Sequence, residues 1–263
     1  TGPRNPDNSM SEGCSMDVQI THWTQAIASL RSAIRSGTVR ELAERASLSS
    51  PRSVERLRRH DKLLRQNSDG SILTSVDNSG RKVRYNSPVS RQDKLIHDWR
   101  KRVSSDHVPP AHQSDILVLL PCSATKPYRL SQSHHRFLKN IPSNRVHEVM
   151  VTSPLGLVPR ELEDLWPAAH YDIPVTGEWD TDELDMINTM VNDICDRVNY
   201  SYVVNHSGIE LSLDSTIVIN SRKGTAGSKE SLSELSSVIT GAIEALKLDC
   251  LLYTSPSPRD LMR

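Results

Sequence analysis

Aromatic side chains are scarce in this chain: one phenylalanine, six tyrosines and four tryptophans among 263 residues. So thin a set argues against broad platforms for stacking bases. The four cysteines, Cys14, Cys122, Cys195 and Cys250, lie far apart and form no CxxC pair. That spacing argues against a zinc site or a disulfide framework and for a reduced, cytoplasmic setting. No metal and no cofactor is expected from it. No apolar run approaches the roughly 20 residues needed to span a bilayer, so no membrane is expected among the partners. Thr1–Met16 is polar and has no apolar core of a signal peptide. Net charge is absent too: 32 Lys and Arg balance 32 Asp and Glu. Nothing in the total draws the chain toward nucleic acid or lipid.

The balance hides an asymmetry. Residues 51–102 carry 14 basic against 6 acidic side chains, a net of +8, whereas residues 160–214 carry 2 against 13, a net of −11. Two solvated faces would produce this pattern. So would a basic half that contacts a polyanion.

The pattern of elements changes midway. Residues 1–16 read as a disordered leader rich in Pro, Asn, Ser and Gly. Trp23, Ile27, Leu30 and Ile34 form one stripe of an amphipathic helix that Gly37 stops. A short helix over Val39–Ala46 follows, and Ser50-Pro51 opens a basic helix to about Leu64. Ser71–Val76 and Lys82–Tyr85 flank the turn Asp77–Gly80 and predict a hairpin. A helix over Val89–Val103, with Leu95 and Trp99 on one face, leads to a linker around Pro109-Pro110. From about residue 112 strands and helices alternate. Strands are expected at Asp115–Leu120, Val146–Thr152, Ser201–Asn205 and Ser215–Asn220. Helices are expected at Ser131–Lys139, Pro159–Leu165, Thr181–Val198 (capped by Thr181) and Ser231–Leu246. The fold class is therefore α/β: a three-layer, mostly parallel sheet with flanking helices over 112–249, preceded by a helical and hairpin region. Residues 250–263, CLLYTSPSPRDLMR, resemble translated sequencing-adapter sequence and are expected to be a non-native tail at which the chain is cut short.

In an open α/β sheet ligands bind beyond the carboxyl ends of the strands. Pro121–His135, PCSATKPYRLSQSHH, occupies such a place after the central apolar strand. Cys122, near a helix N-terminus and near Lys126, is either a thiolate nucleophile or a small buried thiol. Lys126 is either a surface lysine or a group that binds an anion or moves a proton. Tyr128 either stacks on a base or packs. His134, the third residue after the expected Ser131 cap, is the better acid–base candidate of the His134-His135 pair. Ser153–Gly156 follows the second strand. Gly177, Glu178 and Trp179 form the tip of a later loop, and His206 ends the Ser201–Asn205 strand. These separate strand ends together predict one site.

The spacing Pro121-Cys122, Lys126-Pro127-Tyr128, Ser131, His134 resembles the signature PC-x3-KPY-x2-S-x2-H of archaeosine synthase, matching at all seven specified positions. That family is related to tRNA-guanine transglycosylases. SPLGLVPRELE (153–163) and YDIPVTGEW (171–179) are similar to the same α/β module, and residues 17–66 are similar to the helical end of a transglycosylase-like domain. On this reading residues 67–111 form a hairpin and helix linker and 112–249 the signature-bearing module, of the shape found in uracil-DNA-glycosylase-like proteins.

The resemblance implies a tRNA-modifying transferase. It would add the amine of free lysine to the nitrile of 7-cyano-7-deazaguanine in the tRNA D-loop, and a radical partner protein would then cleave the adduct. The nitrile nitrogen must receive a proton, the amine must be neutral, and the base must be swung out into a pocket. Under the resemblance His134 or Lys126 donates that proton, and Tyr128 or Trp179 stacks on the base. Glu178 holds the ammonium or the base edge, while Cys122 either forms a thioimide or shapes the loop. Ser131, Ser153, Gly177 and His206 complete the expected substrate-binding set. The basic segment 51–102 would meet tRNA phosphates. The family's barrel and its RNA-binding PUA domain are largely missing from this sequence, which implies a separate transglycosylase-like subunit or missing parts. Two other readings stay open: a non-catalytic tRNA-binding module, and a cysteine hydrolase or amidase built on Cys122.

Overall fold

The computed structural model describes residues 16–66, 71, 73–75, 81–174, 177–213 and 216–254. In chain order the elements are α1 (Met16–Ser36), α2 (Val39–Ser47), α3 (Pro51–Gln66), β1 (Val83–Arg84), α4 (Lys94–Lys101), β2 (Ile116–Pro121) and α5 (Gln132–Asn140). There follow β3 (Val146–Thr152), β4 (Gly156–Pro159), β5 (Tyr171–Asp172), α6 (Thr181–Val198), β6 (Tyr202–Asn205), β7 (Ile217–Asn220) and α7 (Lys229–Thr254). They form two compact units, Thr1–Trp99 with His170–Pro174, and Arg100–Ala169 with Val175–Arg263.

In the first unit the α1 stripe forms as its periodicity predicts, but Trp23, Ile27, Leu30 and Ile34 are each at least 43% exposed. The interior of this unit is held by charge. The buried guanidinium of Arg40 on α2 donates to Glu44 Oε1 (2.6 Å), to both carboxylate oxygens of Asp61 on α3 (2.6 and 2.9 Å) and to the Val89 carbonyl (3.1 Å). Ser90 donates to the second oxygen of Glu44 at 2.5 Å. Each buried charge thus has a partner, the condition under which it is tolerated.

Among the described residues of the expected hairpin, 71 and 73–75 form no strand and do not pair with 82–85. β1 pairs in parallel with β5, Val83 opposite Tyr171, while the expected turn at 77–80 lies outside the described residues. The expected helix 89–103 is also interrupted. Pro88–Gln92 is a 3-10 turn and Asp93 breaks the run, its carboxylate accepting from the Leu95 amide (3.1 Å) and from Ser75 (2.8 Å). A side chain that bonds its own backbone two residues on competes with the helix.

The second unit is built on the apolar run. β2 lies at the centre of the order β4-β3-β2-β6-β7, parallel to β3 and β6; β7 is parallel to β6, and β4 alone is antiparallel. Ile116–Leu120 are at most 1% exposed. Burial on both faces is what a continuous apolar strand signifies, at about 1.5–3 kcal/mol for each large aliphatic side chain. α5 packs with α7, and α6 packs with β4 and the π-helical turn Arg102–Asp106. Neighbours on β3 point to opposite faces: Glu148 is bonded through Arg160 to His134 of α5, whereas His147 meets Tyr200, just beyond α6. Helices therefore flank the sheet on both sides, an α/β architecture with a mostly parallel sheet.

Local details depart from the sequence reading. The expected helix 159–165 is only a 3-10 turn, Arg160–Leu162, and the unexpected strand β4 precedes it. Gly156 opens β4 at φ +78° with the sulfurs of Met186 and Met190 where a Cβ would stand, so both the turn and the helix contact require glycine. The cap of α6 is Asp180 and not Thr181. Asp180 accepts from the Glu183 amide (2.9 Å), and Glu183 accepts from the Asp180 amide (3.3 Å), a capping box. α7 begins at Lys229 and runs to Thr254. The expected leader falls outside the described residues up to 15, as does the expected tail from 255.

Candidate active site

β2 and β3 run side by side and end together, Pro121 opposite Val151. The residues that follow them, Cys122 and Thr152, therefore meet. Cys122 is half-buried, hydrogen-bonded with Thr152 and within the field of Lys126. Burial pushes the thiol up; the Lys126 ammonium and the Thr152 contact pull it back, and burial wins. Of the two readings of Cys122, this balance favours the protonated, partly buried thiol. Lys126 is itself buried, at 8% exposure, with its four-carbon stem inside and its charge beside the thiol.

The loop after β3 joins this cluster to α6. Ser153 donates to Glu183, a buried carboxylate in the first helical turn, and Arg100 donates to the Pro154 carbonyl (2.9 Å through Nε). Glu183 in turn caps Asp180, which directly follows Trp179. Through this chain the tip Gly177–Trp179 is anchored beside Ser153. Gly177 lies at φ +76° with open space around it, so conformation alone asks for glycine there. Glu178 is exposed and Trp179 half-buried.

The remaining expected residues sit elsewhere, for reasons that can be read from their bonds. His134 is fully buried. Its Nε2 donates to the Pro121 carbonyl at 3.0 Å and its Nδ1 accepts from Arg160 at 3.0 Å. Burial first, and then the Arg160 charge, lower its pKa to about 3. A neutral ring with both nitrogens engaged cannot exchange a proton with a ligand; His134 fastens the end of β2 to α5. Ser131 is the cap of α5, accepting from the His134 amide at 3.2 Å, and is buried. Tyr128 is fully buried with its ring 5.2 Å from that of His134, so it packs and offers no face to a base. His206 is likewise buried. It bonds Ser221 Oγ and the Ala226 carbonyl, each at 2.9 Å, and lies edge-on to Phe137. It holds the 221–226 loop to the end of β6 and does not line the crest.

Of the expected set, the structure gathers Cys122, Lys126 and Ser153, with Gly177, Glu178 and Trp179 on the adjoining loop. The sequence reading missed Thr152, Glu183 and Arg160. Thr152 had a signal, as the last residue of a strand whose neighbour ends in cysteine. Arg160 had little: its pair with Glu163 is a local i,i+3 contact, but its tie to Glu148 depends on the antiparallel β3–β4 register. A further group went unseen altogether. His107, His147 and Glu161 bring three donor atoms within 4.8 Å of one another. No helix among the described residues is long and apolar enough to cross a membrane.

Residues 96–239 match the family described as a domain of unknown function, DUF5591. The chain is 41% identical over 133 residues to an archaeosine synthase subunit alpha from Methanosarcina acetivorans, a stretch covering 45% of this chain and 21% of that protein. It is 34% identical over 235 residues to an archaeosine synthase from Methanocaldococcus jannaschii, covering 82% and 37% respectively. To an archaeosine synthase subunit alpha from Thermoplasma acidophilum it is 38% identical over 177 residues, covering 66% and 33%. The chain thus spans well under half the length of these relatives.

Proposed function

The chain belongs to the DUF5591 family, and from that premise we propose that it carries the active-site portion of a tRNA-modifying transferase of archaeosine biosynthesis. The observation that carries this reading is the strand-end cluster of Cys122 and Lys126, both within the complete signature that resembles archaeosine synthase, with Thr152 of the neighbouring strand. Similarity to relatives bearing that name supports it.

The reaction we assign is addition of the side-chain amine of free lysine to the nitrile of 7-cyano-7-deazaguanine in tRNA. A carbon–nitrogen bond forms, and one proton passes from the amine to the nitrile nitrogen through the enzyme's groups. Lys126, buried beside the reacting position, donates to the nitrile nitrogen as charge develops there. A protonated Cys122 suits a route in which sulfur adds to the nitrile carbon while its proton goes to nitrogen. The amine then displaces the thiol and restores the proton. Trp179 stacks on the extruded base and Glu178 holds the lysine ammonium. His134, Ser131 and Tyr128 hold the loop in shape.

We further read the three-layer unit as uracil-DNA-glycosylase-like, residues 17–66 as the end of a transglycosylase-like domain, and the basic segment 51–102 as a contact for tRNA phosphates. Work on tRNA implies the cytoplasm. The name "subunit alpha" among the relatives supports a partner subunit, and a radical enzyme is the expected consumer of the adduct. The test is transfer of labelled lysine to tRNA bearing 7-cyano-7-deazaguanine, with the partner subunit supplied. Incorporation that Lys126→Met removes is the expected result. Absence of label from tRNA with a folded, complete assembly sinks the proposal.

A further inference from the structure

The end of the sheet opposite the cysteine cluster holds a second group of reactive side chains. His147 is the second residue of β3, five residues before Thr152, which at about 3.3 Å per residue places it ~16 Å from that site. The β3–β4 register pairs Val149 with Pro159, so two residues further out Glu161 stands beside His147. Glu161 Oε1 lies 3.1 Å from His147 Nε2 and 2.9 Å from His107 Nε2. His107 closes the π-helical turn Arg102–Asp106, its amide donating to the Arg102 carbonyl at 2.9 Å. Arg197 of α6 clamps that turn by donating to the carbonyls of Val103 (3.1 Å), Ser104 (3.0 Å) and His107. A π turn pinned by three hydrogen bonds from one guanidinium is held in a fixed shape and aims one side chain.

His147 is fully buried, and its two nitrogens differ. Nδ1 is bonded to Tyr200 Oη at 2.5 Å. Nε2 lies close to Glu161 but is not aligned with it, and it makes no hydrogen bond. An imidazole whose one nitrogen is tied to a hydroxyl, and whose other nitrogen faces a carboxylate and a second imidazole without an aligned hydrogen bond, has the form of a metal ligand. Donors of a tetrahedral zinc ion at 2.0–2.1 Å stand about 3.3 Å apart; the two separations to Glu161 are near that, and all three donors lie within 4.8 Å of one another. Glu161 is 28% exposed and His107 11%, so the group opens to solvent on one side only.

We propose that His107, His147 and Glu161 form a binding site for one divalent transition-metal ion of the zinc class. Two imidazoles and a carboxylate favour zinc, cobalt or nickel over magnesium or calcium. Three protein donors leave a fourth position for water or a ligand atom. The ion would tie the π turn, β3 and the β4 exit together and thereby fix Arg160, the neighbour of Glu161 that holds His134. Tyr200 acts as a positioning residue through His147.

The test is direct on the 263-residue chain, stripped of metal with a chelator. Zinc is returned and bound metal counted by equilibrium dialysis, and cobalt is used as a spectroscopic substitute. One equivalent is expected, with the visible absorption of low-coordinate cobalt and an upward shift in melting temperature. Glu161→Gln and His107→Asn, both at part-exposed positions, should lose that equivalent while keeping the far-ultraviolet circular dichroism of the parent. Tyr200→Phe should weaken zinc about 10–100-fold without removing it. His135→Asn, at an exposed position of α5, should bind as the parent does. No stoichiometric binding, or binding that survives both Glu161→Gln and His107→Asn, overturns the proposal and leaves the cluster a hydrogen-bonded network.

Discussion

Two of the three wholly buried histidines of the sheet unit, His134 on α5 and His147 on β3, are in opposite condition. His134 has a carbonyl on one nitrogen and a guanidinium on the other. His147 has a tyrosine hydroxyl on one and no hydrogen bond on the other. The first joins two elements by two full hydrogen bonds, whereas the second faces the Glu161 carboxylate at 3.1 Å without an aligned bond. Burial alone therefore says little about what a histidine does. The bonds around its ring separate a strut from a ligand, since a buried polar atom left unpaired is costly enough to need a cause.

The same contrast divides the signature. Its histidine, tyrosine and serine are closed off inside the protein, whereas its cysteine is only half-buried, with the charge of the buried lysine beside it. The largest expected effect lies on the open side. Lys126→Met should lower lysine transfer by ~10²–10⁴-fold, the usual range for a group that moves a proton in the transition state. Single-turnover rates would read this with folding unchanged by circular dichroism. Cys122→Ser sharpens the point: turnover near that of the parent removes the sulfur-addition route and leaves Cys122 a shaping residue.

On the closed side the loss should appear as stability. His134→Asn leaves the Pro121 carbonyl and Arg160 without their ring partner and should cost about 1–3 kcal/mol, measured as a fall in urea midpoint. Titration gives a related readout. His134 takes up a proton near pH 6.5 when unfolded and only near 3 when folded. Its contribution is therefore fully present above pH 6.5 and is lost as pH falls from there toward 3, with a slope of up to about 1.4 kcal/mol per pH unit. The slope should flatten in His134→Asn. Smallest of all is the exposed pair Arg59–Glu55 on α3, where alanine should change stability by no more than about 0.5 kcal/mol.

The sheet was legible because its signal is local. Val146–Thr152 and the long helix Thr181–Val198 appear with the bounds their apolar patterns imply. Short elements were less so: β4 has only four residues, and β1 and β5 have two each, too few for any period to show. Among the described residues, β1 pairs not with its expected neighbour but with a partner almost ninety residues away.

Sequence by itself determined that an apolar strand would end in Pro121-Cys122, and that Lys126 and His134 would follow at fixed spacing. It also determined which family the chain resembles. Tertiary structure alone decided the protonated state of Cys122, because desolvation there exceeds the pull of Lys126. It turned His134, Tyr128 and His206 inward, since each found packing and bonds that no local pattern announces. And it brought His107, His147 and Glu161 together, because only the pairing of β3 with β4 and the clamp of Arg197 on a π turn can join residues so far apart in the chain.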